Sequence, residues 1–550
     1  MFYRQKIVKF LNRYCIGLVL LLLIPAVWAL FVSGYGGLSD DIHVAWLQQM
    51  VVTLLAGKYP PRYVPDLSFG FGYPLFNFVF PLPFYLGSLF HFLGLTLVGS
   101  LKAVFGVSLV ASFFSMYLLL KHLSGKWLAL IGALVYVYTP YRATDVYVRG
   151  AVGESLAFVF FPLIVLAVLR AQKSVSWVGL GALGVAGLIL SHNITAMMFV
   201  PLALALALML KSGIKVYSLF LLGLLLSLYF WFPAIWDSRL MQYATVFDAK
   251  DHFPTIKQLV TPHFGWGTST PGPYDHMSFF IGIPNLVLMA AGLWVMMKKG
   301  RLMAGRSRRV ILWWAMGVMA VSIFMMNYRS SYLWDHLPLI PYFQFPWRFL
   351  APVAFASSML VIFLKEVKWS SLIGVVLVVV ALIFGVKYFR FYKFNGWNDA
   401  FFLKHYIPVP EASFEYRQTG EEYLRLPLGT DIRPSQNFPR FFSSQKIEVS
   451  HLVEVNSLDA EASIDSRGRA TVSYNKYLFP GWVVEVDGKK VDILTGKPYG
   501  QVAFNLEPGV HQVKVTWRET GRNLFLNAVS LVSLLISGWL VVHFKKEDEK

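Results

Sequence analysis

Residues 15–41 read CIGLVLLLLIPAVWALFVSGYGGLSDD, an apolar run that ends a few positions before two consecutive acids. The run from about Cys15 to Val32 is close to the ~20 residues that a helix needs to cross a bilayer. No small-residue cleavage site follows it. Basic residues precede it at Arg4, Lys6, Lys9 and Arg13. We therefore expect a retained signal anchor with its N-terminus in the cytoplasm, followed by a loop that carries Asp40 and Asp41.

Composition places most of the chain in lipid. Hydrophobic residues make up 56% of the 550 residues and charged residues 14%, with a mean hydropathy of +0.55, whereas soluble domains carry about 25% charged residues. The net charge of +19 is spread over short loops between apolar runs, which is typical of topology control, so no nucleic-acid partner is expected. The single cysteine, Cys15, excludes a disulfide framework and a cysteine metal site and is expected to fill core space.

Further apolar runs predict a polytopic α-helical membrane protein. They lie near residues 98–120, 127–141, 155–169, 175–191, 194–210, 216–235, 278–297, 310–326, 347–364, 369–386 and 524–543. Every second connection between them is basic, as expected for cytoplasmic loops. The run 77–95 breaks this alternation and has prolines near its start, which favours a re-entrant or interfacial piece. The prediction is roughly twelve spans with both termini inside, or thirteen with inverted downstream topology if 77–95 crosses.

The long first outer loop, residues 34–76, carries the acid pair. Residues from Asp41 to about Leu55 have the spacing of an amphipathic helix lying along the membrane, with Ser39 as its N-cap. Asp40 and Asp41 then have two interpretations: capping and dipole stabilisation worth about 1 kcal/mol, or chemistry at the outer face. The motif alone leaves both open. His43 and Arg62 in the same loop are candidates for substrate binding.

Two later outer segments supply more polar candidates. These are Arg142, Asp145, Arg149, Glu154, His192 and Asn193. Each has an ordinary explanation, because arginines snorkel, a carboxylate suits a helix start, and histidine or asparagine satisfies backbone groups in a tight turn. Their joint placement with the acid pair on one side of the membrane favours a site.

The chain becomes less apolar and richer in turn residues over 389–522. Trp482–Val486 alternates and leads into the hairpin signal Asp487-Gly488, and Gln501–Trp517 repeats the pattern around Glu507-Pro508-Gly509. We predict an extracytoplasmic β-sandwich over 389–522, with 415–426 packing over the site. The membrane domain is then 1–388, and 523–550 forms the last span with a cytoplasmic tail.

These motifs resemble known families. The acid pair, the helix after it and the acids of the next outer loop resemble the GT-C class of membrane glycosyltransferases, with Asp40-Asp41 as the first acidic element and Asp145 or Glu154 as the second. Tyr59-Pro60-Pro61-Arg62 through Gly70-Phe71-Gly72-Tyr73-Pro74-Leu75-Phe76-Asn77 is similar to bacterial membrane proteins called 6-pyruvoyl-tetrahydropterin synthase-related. Phe479-Pro480-Gly481-Trp482, Asp487-Gly488 and Pro508-Gly509-Val510-His511 resemble the tail of YfhO-like membrane proteins.

The resemblance implies a plasma-membrane enzyme that moves a sugar from a polyprenyl-phosphate donor to an envelope glycan, lipid or protein at the outer face. Transfer needs a carboxylate base and cations for the departing phosphate. Asp41 or Asp40 is then the base, and Glu154 or Asp145 positions the acceptor or a metal. Candidates for the phosphate and the rest of the substrate are Arg62, Arg142, Arg149, His43, His192 and Asn193.

The sequence fixes no cofactor, and a divalent metal held by Asp40, Asp41 and His43 stays open. Two other functions also stay open. One is a transporter or flippase of lipid-linked glycans, which would place ionisable residues near the midplane. The other is a non-catalytic envelope assembly protein whose β-domain binds glycan.

Overall fold

A computed structural model of the protein describes residues 21–242, 248–272, 274–299, 305–367, 369–392, 396–407 and 425–544. The predictions made for Cys15, for residues 15–20 of the signal anchor and for most of 415–426 lie outside these ranges.

The membrane part consists of helices that follow the apolar runs. We number the helices α1 Leu21–Phe31, α2 His43–Leu55, α3 Leu75–Phe78, α4 Leu82–Phe92, α5 Leu97–Ser124, α6 Lys126–Val137, α7 Pro140–Thr144, α8 Val152–Ala157, α9 Phe160–Arg170, α10 Ser176–Ser191, α11 Asn193–Met209, α12 Ile214–Leu226, α13 Leu228–Trp236, α14 Ile256–Val260, α15 Ile283–Lys299, α16 Arg306–Met325, α17 Ser331–His336, α18 Leu350–Met359, α19 Ser370–Gly385, α20 Asp399–Tyr406 and α21 Gly521–Phe544.

Six helical segments of the described residues are long and apolar enough to cross a bilayer, which confirms the polytopic helical class. They are Leu97–Ser124, Val152–Arg170, Arg306–Met325, Pro346–Lys365, Ser370–Tyr388 and Gly521–Phe544. A seventh candidate is the pair α12 and α13, which is bent by 66° at Ser227. Other predicted runs are found as shorter apolar helices, so the count of twelve or thirteen spans stays a prediction.

The helix of the first outer loop differs from its prediction in two ways. It begins at His43 with Ile42 as N-cap, and no side chain caps it, so Asp40 and Asp41 lie before the helix rather than in its first turn. The interpretation of the acid pair as a capping device is therefore wrong. Moreover, α2 is buried on most sides instead of lying with one face on the membrane, because α4, α5 and α20 pack around it.

The run 77–95 is broken as its prolines predict. It contains the end of α3 and the helix α4, with Val79, Phe80 and Pro81 between them. The 11 residues of α4 span about 16 Å, roughly half of the hydrocarbon core of a bilayer.

The tail contains two antiparallel sheets. The strands are β1 Phe441–Phe442, β2 Ile447–Glu454, β3 Ala460–Ser466, β4 Ala470–Tyr477, β5 Trp482–Val486, β6 Lys489–Lys490, β7 Leu494–Gly496, β8 Gln501–Leu506 and β9 Gly509–Trp517. One sheet has the order β1-β4-β8-β7 and the other β2-β3-β9-β5-β6. Tyr474 of the first sheet meets Trp482 of the second at 5.7 Å between ring centroids, so the two inner faces share one core.

The hairpin at Asp487-Gly488 is confirmed: it joins β5 to β6, and both turn residues have positive φ, 52° and 77°. The pattern around Glu507-Pro508-Gly509 is not a second hairpin, because β8 pairs with β4 and β7 whereas β9 pairs with β3 and β5. The chain crosses from one sheet to the other at Glu507-Pro508, which period-two alternation cannot distinguish from a turn within one sheet.

The sheets dock on the first outer loop. The Tyr477 N–H donates to Phe71 O at 2.8 Å, and the Tyr63 hydroxyl donates to Tyr477 O at 3.1 Å. Lys476, fully buried, donates to the carbonyls of Pro65 and Gly70. The aromatic and glycine-rich stretch 59–77 thus holds the tail against the membrane part.

Candidate active site

The acid pair is held by backbone contacts to the segment after α7. Asp40 N donates to Arg149 O at 2.7 Å, and Ser39 N donates to Val148 O at 3.2 Å. The His43 ring contributes a further bond, with Nδ1 at 3.0 Å from Gly150 O. Two segments that are far apart in sequence therefore meet, which agrees with the prediction that they lie on one side of the membrane.

A buried ion cluster lies directly behind this junction. The Arg149 guanidinium is 2.6 Å from Asp145 Oδ1 and 2.7 Å from Glu154 Oε2. Tyr141 donates to Glu154 Oε1 at 2.6 Å, and the Arg149 guanidinium carbon lies 4.6 Å from the centre of the Trp347 ring. Buried charges are tolerated only when they are paired and hydrogen-bonded. This cluster meets that condition and fixes the geometry of the segment that carries the acid pair.

A π-helical turn over Asp145–Arg149 produces the spacing within the cluster. It ends at Gly150, whose φ of 73° lies in the left-handed region. Burial and the neighbouring Glu154 carboxylate raise the pKa of Asp145 well above its usual range, which favours its neutral form, although Arg149 opposes the shift.

The two consecutive aspartates are half-buried and face different partners. Asp40 acts electrostatically on Arg149, Arg348 and His43. Asp41 accepts a hydrogen bond from the Tyr406 hydroxyl of α20. Burial raises the pKa of the Asp41 carboxyl, and the Tyr406 hydrogen bond opposes this increase.

Arg348 is a cation for which the sequence predicted no role. Its charge acts on Glu154, Arg149 and Asp40, so it belongs to the same group of side chains. It is nine-tenths buried, its Nε has no hydrogen-bond partner among the described residues, and its guanidinium makes a long hydrogen bond of 3.4 Å to Phe343 O. Among the residues that the structure describes, no carboxylate lies within ion-pair distance of it.

His192 lies at the edge of the cluster and interacts electrostatically with Glu154 and Arg348. Its Nδ1 accepts from Thr195 N at 3.3 Å, so a neutral ring carries its proton on Nε2. Burial lowers the pKa of His192 to about 3. The neighbouring Asn193 uses its Oδ1 on Ile194 N at 3.0 Å, which is a local backbone contact rather than a contact to the cluster.

Arg62 and Arg142 are engaged elsewhere, and the expectation that they bind phosphate is not supported. Arg62 pairs with Glu519 at 3.0 Å and donates to Asn527 Oδ1 at 2.9 Å, at the junction between β9 and α21. Arg142 is fully buried and donates to Ser155 O at 2.9 Å and Ser112 Oγ at 3.2 Å, with its guanidinium over the Phe158 ring. Both arginines hold secondary-structure elements together.

The three metal candidates do not converge. Asp41 bonds to Tyr406, His43 bonds to Gly150 O, and Asp40 faces the arginines. Within the described parts of the chain, no group of three or more His, Cys, Asp or Glu side chains is placed to hold a metal ion.

An apolar groove runs along α5 and ends near this site. It has a volume of about 1520 Å³ and lies between α1, α5, α9 and residues 396–400. Gly34, six residues before Asp40, lines the groove together with Lys102, whose amine donates to Gly34 O at 2.6 Å. Residues 396–400 lead into α20, so one segment borders both the groove and Asp41.

Arg348 and Tyr406 are the two members that sequence reasoning missed. Arg348 is the second residue of the predicted apolar run 347–364, a position where an interfacial anchor is equally common. Tyr406 lies in a part of the tail with no periodic signal. Only the fold brings either residue to the acid pair.

No protein-family model matches the chain. An uncharacterized protein of Lactococcus lactis subsp. cremoris (strain MG1363) is 26% identical over 219 residues, which is 36% of this chain and 36% of that protein. The match therefore spans about a third of the relative's length and does not show a family.

Two solved structures show weak similarity to this fold. The mycobacterial arabinofuranosyltransferase AftD is 15% identical with a TM-score of 0.39, over 68% of this chain and 26% of AftD. ArnT from Cupriavidus metallidurans is 13% identical with a TM-score of 0.40, over 65% of this chain and 60% of ArnT. Similarity at this level carries no argument about function, and the GT-C assignment stays a prediction.

Proposed function

We propose that this protein is an integral-membrane glycosyltransferase that moves a sugar from a polyprenyl-phosphate donor to an extracytoplasmic acceptor of the cell envelope. The observation that carries the proposal is the juxtaposition of a half-buried carboxylate pair with a buried arginine that has no carboxylate partner among the described residues. Transfer from a lipid phosphate needs a base, an anion-stabilising cation and an apolar surface for the lipid.

Asp41 is the base in this proposal. Its carboxylate is only half-buried, so a substrate hydroxyl can reach it, while burial raises its pKa from the ordinary value. A higher pKa makes the ionised carboxylate a better proton acceptor, provided that it remains ionised at the working pH. Asp40, which acts electrostatically on Arg149 and Arg348, accepts hydrogen bonds from sugar hydroxyls in this proposal.

Arg348 is the cation for the leaving phosphate. Arg149 is already paired with Asp145 and Glu154. Arg348 is nine-tenths buried, makes a long hydrogen bond to Phe343 O and has no carboxylate partner among the described residues, which is costly unless an anion binds beside it. Donors that face developing negative charge in a dry site contribute strongly to catalysis. Arg149, Asp145 and Glu154 act as a scaffold that positions Asp40.

In this proposal the glycosyl transfer is a single displacement. The acceptor oxygen attacks the anomeric carbon of the sugar while Asp41 takes the proton of the acceptor hydroxyl. The bond between the anomeric carbon and the phosphate oxygen breaks, and the phosphate leaves with the electron pair next to Arg348. The groove along α5 holds the polyprenyl chain during this step.

Mass spectrometry of envelope lipids and glycans tests the proposal. Cells that lack the protein are complemented with wild type, with the double variant Asp40→Asn/Asp41→Asn, or with Asp251→Asn, an exposed carboxylate of another loop. Wild type and Asp251→Asn should restore a sugar modification that the double variant does not restore at equal membrane abundance. Full restoration by the double variant would reject the proposed function.

A further inference from the structure

Helix α20 is fixed to the membrane part at its first turn. The Asp399 carboxylate accepts from Leu97 N at 2.8 Å and from Val98 N at 2.9 Å, which are free N–H groups at the start of α5. Asn398 caps α20 itself, with its Oδ1 accepting from Phe401 N at 3.1 Å. One carboxylate on two backbone donors sets the position and direction of this short helix.

The middle of α20 packs on the loop that leads to the acid pair. Phe402 is fully buried and meets Tyr35 edge-on, with 5.7 Å between the ring centroids. Tyr35 is itself buried and lies five and six positions before the aspartates. The helix and the catalytic loop therefore share an apolar contact, so that neither can shift without the other.

The last turn of α20 presents Tyr406 to Asp41. Tyr406 is about nine-tenths buried, and its hydroxyl donates to Asp41 Oδ1. The titratable groups that act on Asp41 are Asp40 and Tyr35 from its own loop, and His405 and Tyr406 from α20. Of these four groups, Tyr406 donates a hydrogen bond to the carboxylate, which places one of its oxygens.

We propose that Tyr406 is the positioning residue of Asp41: anchored through α20, its hydroxyl holds one carboxylate oxygen and turns the other towards the acceptor hydroxyl. This inference rests on the proposed function for its catalytic consequence, but not for the contact itself. A carboxylate held by one fixed donor loses rotational freedom before substrate binds, so less orientation remains to be achieved during reaction.

The hydrogen bond from Tyr406 to Asp41 determines in which direction loss of the Tyr406 hydroxyl shifts the pH dependence of activity. A donor stabilises the ionised carboxylate, so removing the Tyr406 hydroxyl makes Asp41 easier to protonate. Hydrogen bonds to charged groups are strong enough for the protonated fraction to rise about tenfold at a pH where Asp41 is mostly ionised. The acidic limb of the activity profile should therefore move to higher pH.

Carbodiimide labelling measures the protonated fraction of Asp41 and does not depend on transfer activity. Dicyclohexylcarbodiimide modifies protonated carboxyls in apolar surroundings, and peptide mass spectrometry quantifies the adduct at Asp41. At pH 7, Tyr406→Phe should be labelled about tenfold faster than wild type. Tyr274→Phe removes the hydroxyl of a tyrosine that is 87% exposed and should match wild type. The comparison is repeated in a His405→Gln background, because His405 also acts electrostatically on Asp41.

Transfer kinetics provide the second readout. Tyr406→Phe should lower kcat most at low pH and leave the KM for the lipid donor unchanged, with thermal stability close to that of wild type. Should Tyr406→Phe impair accumulation, Tyr406→Leu serves the same comparison. Unchanged labelling in a folded variant overturns the inference. A fully active Asp41→Asn variant instead removes the proposed function and leaves the labelling result intact, so the two failures are distinct.

Discussion

At the residue scale, the adjacent residues Asp40 and Asp41 differ in the side chains with which they interact. Asp40 acts on a group of buried arginines, and Asp41 is held by a tyrosine from the tail. A sequence predicts that two adjacent acids lie in one loop, but the direction of each side chain is decided by residues that fold against them.

Arg348→Met tests the assignment of the anion site. Removal of a donor that faces developing charge should lower kcat by about 100- to 1000-fold. At the same time the melting temperature should stay equal or rise. Replacing a buried charge that lacks a carboxylate partner among the described residues with an apolar side chain relieves a desolvation cost. Parallel measurements of transfer rate and thermal unfolding check both parts.

The exposed Arg329→Met is the matched control and should change neither quantity. A large loss of stability in Arg348→Met would contradict the assignment, since it would mean that Arg348 supports the fold through its contacts.

The local members of the site could be predicted from spacing alone. Asp145, Arg149 and Glu154 lie within ten residues of one another, and the structure joins them in one cluster. Arg348 and Tyr406 could not be found in this way, because they reach the acid pair only after the bundle and the tail have packed. Arg62 shows the converse: it lies in the same loop as the acid pair, but the fold gives it Glu519 as a partner.

At the element scale, Gly150 ends the π-helical turn over Asp145–Arg149. Its conformation affects both the stability of this turn and the position of the acid pair. Gly150 has a φ of 73°, and a Cβ there would lie 2.8 Å from Leu38 Cδ1. Leu38 belongs to the loop that sets Asp40 against Arg149. The position therefore requires glycine both for its backbone conformation and for a close approach.

Gly150→Ala should lower transfer by about 100-fold, since a shift of about 1 Å in a catalytic group has effects of that size. Gly57→Ala is the control, because Gly57 has a φ of 72° but open space around it. Both variants carry the same backbone strain, so the thermal unfolding difference between them isolates the contact with Leu38. Equal activity in the two variants would show that this contact does not position Asp40.

The first outer loop also shows where helix prediction reaches its limit. Periodicity predicts the end of α2 at Leu55 correctly. The predicted beginning at Asp41 is two residues too early, because the N-cap is Ile42, which has no capping side chain. Neighbouring helices bury both sides of α2, and an amphipathic pattern does not distinguish a protein interior from a membrane surface.

At the scale of the whole molecule, the tail and the membrane part form a common structure through buried polar contacts. Burial, with a smaller contribution from the charge of Arg440, lowers the pKa of Lys476 well below its usual range, although its amine donates to backbone carbonyls of Pro65 and Gly70. An unfolded lysine binds its proton up to a pH of about 10.4. Between the lowered folded pKa and that value the unfolded state binds more protons, so stability rises with pH.

Thermal unfolding measured between pH 7 and 9.5 tests whether stability rises with pH. Wild type should become more stable as pH rises, and Lys476→Met should lose this part of the pH dependence. Lys490→Met, an exposed lysine of β6, should keep it. An unchanged slope in Lys476→Met would mean that another group carries the effect.

The polytopic helical fold class could be predicted from hydropathy, because the apolar runs coincide with helices through most of the described chain. The pairing of tail strands and the docking of the tail on residues 59–77 do not follow. They depend on contacts between β4 and the first outer loop, such as Tyr477 with Phe71, that no local pattern encodes.

The most direct test uses purified protein in lipid vesicles, a labelled polyprenyl-phosphate sugar as donor and an envelope extract as acceptor. New glycosidic product and movement of the donor across the bilayer are measured in parallel. Wild type and Asp251→Asn should form a product that contains the donor sugar, and Asp41→Asn should form none. Donor that crosses the bilayer equally with wild type and Asp41→Asn, without any glycosidic product, would contradict the account and identify a flippase.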